Sequence, residues 1–158
     1  MSSSEVSLRP ATPEDVEFAY HVSRETMRGH ALATFGAWNE EEARQRCSRN
    51  ISAGFTQIIE LGGVQIGIYV VERAPDHVQL LQIFILPDYQ RRGIGTYLLS
   101  EALGRAPAVA TLNVFEQNAL AREFYERHGF REVRRFLNEQ ERSVELVYGR
   151  DLGSGISN

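Results

Sequence analysis

Apolar positions along the 158 residues follow two periods, and their alternation marks out the elements. Val6-Ser-Leu8-Arg-Pro10 alternates and stops at proline, as a short strand does. Thr12-Pro13-Glu14-Asp15 supplies a cap, a first-turn proline and two acids, which predicts a helix through Val16, Ala19, Tyr20 and Ser23 to about Met27. Gly29 to Trp38 then reads as a loop, and Asn39-Glu-Glu-Glu42 opens a second helix to about Arg49. Phe55–Leu61 and Val64–Glu72 are β-rich runs joined by Gly62-Gly63, a hairpin signal. His77–Leu86 is a strand closed by Pro87. Helical spacing returns from Gly95 to Gly104, with Leu98, Leu99 and Ala102 on one face. A strand at Val109–Phe115 and a helix at Asn118–His128, ended by Gly129, follow. The last two strands are Phe130–Leu137 and Ser143–Tyr148, around a polar turn at Asn138-Glu139-Gln140. The order β-α-α-β-β-β-α-β-α-β-β predicts an α/β (α+β) chain. Its sheet is expected to be antiparallel early and parallel across the later crossover.

Composition narrows the chemistry. The length suits one domain, expected over residues 1–150, with 151–158 a frayed tail. Apolar residues make up 42% and charged residues 24%, which excludes a disordered chain. All basic side chains are arginine, so Schiff-base, pyridoxal-phosphate and Walker-type lysines are ruled out. One cysteine, Cys47, cannot form an internal disulfide or a multi-cysteine zinc site, and no metal-ligand spacing appears. No apolar run approaches the ~20 residues of a membrane span, and the first residues lack a signal-peptide pattern. The expectation is a cytoplasmic protein without a membrane or nucleic-acid partner, consistent with a net charge of −4. Charge is uneven. Residues 1–85 carry 7 arginines against 11 acids, whereas 86–135 carry 8 against 6, so an anionic ligand is sought in the middle segment. The acidic first half favours a cationic ligand.

The informative stretch is Leu81-Gln-Ile-Phe-Ile-Leu-Pro-Asp-Tyr-Gln90-Arg91-Arg92-Gly93-Ile94-Gly95-Thr96. An apolar strand runs into a loop, and glycines open a helix. Glycines let backbone N–H groups approach a ligand, the helix start favours an anion, and Arg91 and Arg92 add fork-shaped donors. A dinucleotide fingerprint needs a third glycine where Leu98 stands, and a Walker loop needs lysine.

The remaining pattern, Gln-x-Arg-Gly-x-Gly at 90–95, resembles the acyl-coenzyme A loop of the GNAT N-acetyltransferase superfamily. Downstream, Asn118-Ala119, Tyr125 and Gly129-Phe130 repeat the spacing of the second half of that signature, and the element order matches from about Ser7 to Tyr148. The segment Arg28 to Glu40, rich in aromatic residues, also looks like a subset of bacterial members in which it borders the acceptor site.

The resemblance implies a GNAT fold, with a mixed sheet of about six to seven strands and about four helices. It implies transfer of an acetyl group from acetyl-CoA to a primary amine by direct attack in a ternary complex. The strand end Phe84, Ile85 and Leu86 would bind the pantetheine arm through free backbone groups, with an N–H near Leu86 polarising the carbonyl. Arg91, Arg92, Gly93, Ile94, Gly95 and Thr96 would hold the pyrophosphate, and Asn118 would contact the same ligand. Tyr125 would bind beside the sulfur and protonate the leaving thiolate; a phenol of pKa ~10 is a plausible donor to a thiolate of pKa ~8.5. Phe35, Trp38, His30 and Asn113 would line the acceptor site for a small-molecule or peptide amine, and a homodimer is one possible assembly.

An aliphatic ammonium of pKa ~10.4 is almost wholly protonated at pH 7, so a base is needed. Many family members place a glutamate on the middle strand. Here that strand offers Gln79 and Gln82, leaving Glu60, Asp76, His77 and Glu116 as candidates. Of these Glu60, which ends the first hairpin strand, is carried forward as a catalytic candidate. The missing carboxylate also keeps open an inactive acyl-CoA-binding module, a sensor or partner domain.

Overall fold

The computed structural model describes residues 5–104, 109–115, 118–137 and 142–149. Seven strands form one sheet in the order β1-β2-β3-β4-β5-β7-β6. They are β1 (Val6–Pro10), β2 (Thr56–Leu61), β3 (Val64–Arg73), β4 (His77–Ile85), β5 (Val109–Phe115), β6 (Arg131–Leu137) and β7 (Arg142–Gly149). Four α-helices accompany it: α1 (Val16–Phe35), α2 (Glu40–Ser52), α3 (Ile94–Gly104) and α4 (Ala119–Arg127). Neighbours are antiparallel except β4 and β5, the parallel pair that the α3 crossover requires. The tail 151–158, the turn 138–140 and Glu116 lie outside the described residues. No helix among the described residues is long and apolar enough to cross a membrane.

Strand alternation sends successive side chains into two cores. Ile58, Ile68 and Val70 meet Ala19, Val22, Ala43, Cys47 and Ile51 from α1 and α2. Ile59, Ile66 and Tyr69 meet Ile94, Leu98, Leu99 and Ala102 from α3. Each fully buried side chain of this size contributes about 1.5–3 kcal/mol relative to exposure. The hairpin turn uses Gly62 at φ 57° and Gly63 at φ 86°, the left-handed pair that a two-residue connection demands.

Helix α1 departs from the sequence reading. It continues through the expected loop to Phe35. Gly29 is tolerated within it at about 1 kcal/mol, and Ala31 and Thr34 extend the inward face begun at Ser23. The helix ends at Gly36, whose φ of 75° and N–H bond to the Leu32 carbonyl form a left-handed cap.

Strand β4 carries the distortion that matters most. Val70 pairs with Gln82 but Val71 with Leu80, so Leu81 is an extra residue, a β-bulge. Before it, Val78 and Leu80 enter the α3-side core; Leu81 and Phe84 pack against the α1–α2 core. A bulge bends its strand. Further along, Gly67 pairs with Ile85, and a Cβ there would collide with the Phe84 carbonyl oxygen, so β3 approaches this end of β4 closely only with glycine at that position.

Candidate active site

The sheet opens between its two parallel strands. β4 and β5 pair only from His77–Val109 to Leu80–Leu112, whereas β5 stays paired with β7 as far as Phe115. Beyond the bulge, β4 therefore has a free side. The Leu86 N–H donates to the Ile66 carbonyl at 2.8 Å. By the alternation of an antiparallel ladder, the backbone groups of Phe84 and Gln82 also face β3, and those of Ile83 and Ile85 face the opening. The Ile85 carbonyl accepts from the Gln90 amide at 2.7 Å. The peptide groups of Ile83 and the N–H of Ile85 remain for a ligand.

The Leu86 N–H itself is committed to the sheet, and the N–H next to it that faces the opening is that of Ile85. Phe84 faces β3 with its backbone and reaches the cleft as a lining residue, and Ile83, which sequence reasoning missed, presents its backbone to the opening.

The cleft has a volume of about 830 Å³. Its walls are β4 from Leu80 to Ile85, β5 from Leu112 to Val114, the α4 residues Ala121 and Tyr125, and one face of α1. At the β4 end it reaches Gln90, and the glycine turn follows directly. Arg91 has φ 64° and Gly93 φ 83°, so two left-handed residues fold the backbone into the helix start. The first helical bond is Tyr97 N–H to Gly93 carbonyl, which leaves the N–H groups of Ile94, Gly95 and Thr96 without an intrahelical acceptor. Arg92 is held by the Asp88 carbonyl at 3.0 Å and lies over the Tyr89 ring at 5.2 Å; Arg91 is exposed. Gly95 is not required by space, because a Cβ there would meet Ile85 and Phe124 at ordinary distances, 3.8 and 3.9 Å.

On the opposite wall, the Asn118 side-chain amide oxygen Oδ1 accepts from the Ala121 N–H at 3.2 Å, so the residue caps α4 while lining the cleft. Tyr125 lies about two turns further along α4. Its ring meets Phe124 edge-on at 5.2 Å and Phe130 at 5.6 Å, and burial pushes its phenol up to about 12. Its backbone carbonyl accepts from the N–H groups of His128 and Phe130, which fixes the end of the helix.

The far end of the cleft gathers His30, Phe35, Trp38 and Asn113. The Trp38 indole N–H donates to the Tyr20 hydroxyl at 3.3 Å, which anchors the α1–α2 connection. Ser23, Thr26, Met27, Arg46 and Gln82 line the same space and were missed. The signal for the first three was their helical spacing with His30, which vanishes when the helix is ended at Met27.

Glu60 does not reach the cleft. Its carboxylate is taken by the Arg9 guanidinium at 3.3 Å, in a cluster that also ties Asp15 and Gln65. Asp76 and His77 pair with each other at 3.0 Å at the start of β4, where the strands are still joined. Among the described residues, no Asp or Glu lines the cleft. Cys47 is buried, its thiol is pushed up by desolvation, and it lies against the Ser23 hydroxyl at 3.6 Å rather than in the lining.

A mixed sheet that opens between parallel strands, with unpaired helix N–H groups at its mouth, can take an extended ligand that ends in an anionic group. The family profile described as "Acetyltransferase (GNAT) family" matches residues 19–130, and the chain belongs to that family. It is 32% identical over 146 residues to Probable N-acetyltransferase Rv2775 of Mycobacterium tuberculosis, covering 82% of each chain. It is 31% identical over 124 residues to the [ribosomal protein bS18]-alanine N-acetyltransferase of Escherichia coli K12, covering 75% of this chain and 76% of the other. The fold matches the PaiA N-acetyltransferase of Thermoplasma acidophilum, solved in complex with coenzyme A, with a TM-score of 0.69 and 20% identity over 94% of this chain and 99% of that one.

Proposed function

We propose that the protein transfers an acetyl group from acetyl-CoA to a primary amine. The observation that carries this reading is the opening of β4 from β5, with Tyr125 and Asn118 facing it and the 91–96 turn at its mouth. Acetyl-CoA would supply the acyl thioester. The free peptide groups of Ile83 and the N–H of Ile85 suit the amides of an extended pantetheine arm. The N–H groups of Ile94, Gly95 and Thr96, with Arg91 and Arg92, suit the pyrophosphate.

The amine attacks directly: a C–N bond forms, the C–S bond breaks, the Tyr125 hydroxyl gives its proton to the departing sulfur, and the proton that the acylated nitrogen then loses restores the phenol. Burial of Cys47 away from the cleft supports a route without a covalent enzyme intermediate. The ammonium proton leaves before attack. His30 is a described lining side chain whose ring nitrogen can accept it, and water at the open mouth is the other route.

A non-catalytic acyl-CoA-binding module is the rival reading, favoured by Gln82 where a carboxylate would be useful. Thiol release from acetyl-CoA against a panel of amine classes separates the two. Release with one class supports the transferase; cofactor binding with no release across the panel supports the binder.

A further inference from the structure

The end of the cleft between α1 and α2 has a one-sided charge. Thr26, Met27 and His30 face it from α1, Phe35 and Trp38 from the α1 end and its connection, and Arg46 from α2. Among the described lining residues there is a fixed cation, Arg46, and no carboxylate. The acids of this region are engaged elsewhere. Glu17 and Glu40 are held by Arg44, and Glu42 is shared by Arg49 at 3.4 Å and Arg46 at 3.8 Å. The acidity of residues 1–85, which by itself favours a cationic acceptor, is therefore not presented to the site.

Arg46 keeps donors for a ligand beside its ion pair with Glu42. Its approach to Glu42 is longer than a hydrogen bond, so the guanidinium keeps donors in reserve. Its side chain is 50% exposed and can turn toward the cleft without breaking a buried contact.

We infer that the acceptor is a small primary amine that carries its own carboxylate, with an apolar body: an amino-acid-like molecule. This rests on the acetyltransferase reading above. Arg46 takes the carboxylate as a two-pronged acceptor, and Met27, Phe35 and Trp38 cover the apolar part. Such a molecule enters without net charge. A diamine or polyamine brings two or more positive charges to a wall that already holds one and offers Arg46 nothing to bind.

The test is thiol release from acetyl-CoA with matched acceptors: methionine and phenylalanine, their carboxamides, and 1,5-diaminopentane. The expected result is a kcat/KM for each acid that exceeds its carboxamide roughly tenfold or more, mostly through KM. In Arg46→Gln that ratio falls to near one, and Arg46→Lys restores part of it. Thermal melting of both variants verifies that they fold. If carboxamides or the diamine react as well as the acids, or if the ratio survives Arg46→Gln, the acceptor assignment is overturned while release still supports the transferase. If no amine releases thiol, the transferase reading falls and takes this one with it.

Discussion

Tyr125 combines two roles that sequence alone left in competition. Its ring packs between Phe124 and Phe130, and its face opens on the cleft. Desolvation pushes the phenol from its ordinary 10.0 up to about 12. The group therefore holds its proton throughout the working range, as an acid must. Replacing it with phenylalanine should keep the packing and lower kcat roughly 10²-fold with little change in KM. An unchanged turnover would remove Tyr125 from the chemistry. In the wild type, the rate should show no decline at pH 10 attributable to this residue. Stability has the opposite signature. A tyrosine whose folded pKa is raised stabilises fully below the unfolded value, and the contribution disappears as pH rises from 10 toward 12. That loss amounts to roughly 2–3 kcal/mol, and Tyr125→Phe should abolish it in alkaline denaturation.

At the scale of elements, β3 and β4 make the site by bending together. The bulge at Leu81 turns β4 away from β5, and Gly67 permits β3 to stay close to the Phe84 carbonyl. Gly67→Ala should destabilise by about 1–3 kcal/mol, read from the urea midpoint, and weaken acetyl-CoA binding more than a remote change of equal stability. Equal weakening by both would mean that the bend does not matter to the cofactor. Most elements were legible because their signals are local: the Gly62-Gly63 turn, the Asn39 and Asn118 caps, and the Leu98–Leu99 face. The second half of α1 was not, because Gly29 and the aromatic residues after it resemble a loop in isolation. Ala31 is buried on the face this extension presents to the protein, and the left-handed cap at Gly36 ends the helix a further turn on.

Across the whole molecule, one arginine ties the edge of the sheet to the first helix. Arg9 on β1 contacts Asp15 ahead of α1 at 2.9 and 3.0 Å, Glu60 on β2 at 3.3 Å and Gln65 on β3 at 2.7 Å. The Arg9 hydrogen bonds, first among the causes, hold the Asp15 carboxyl below its ordinary 3.8. A depressed carboxylate stabilises above its unfolded pKa, so stability should fall as pH drops below 3.8. Asp15→Asn should flatten that acid limb in pH-dependent melting; an unaltered limb would assign the acid sensitivity to other groups. Acetyl-CoA at a hundred times its Kd should add about 2.7 kcal/mol and raise Tm by roughly 5–10 °C. No shift would argue against the cofactor itself.

The chain's own order of residues determined the strands and helices, the glycine turn, and the family to which the 90–130 pattern points, since each depends on neighbours within a few positions. It also singled out Tyr125, Asn118, His30, Phe35 and Trp38, all of which line one cleft. Tertiary structure decided which backbone groups of β4 are free, because that depends on where β5 stops pairing. It removed Glu60 to the Arg9 cluster and brought Arg46, Thr26 and Met27 to the acceptor end. Those outcomes follow from contacts between segments tens of residues apart, where charge and packing are settled by what else occupies the same space.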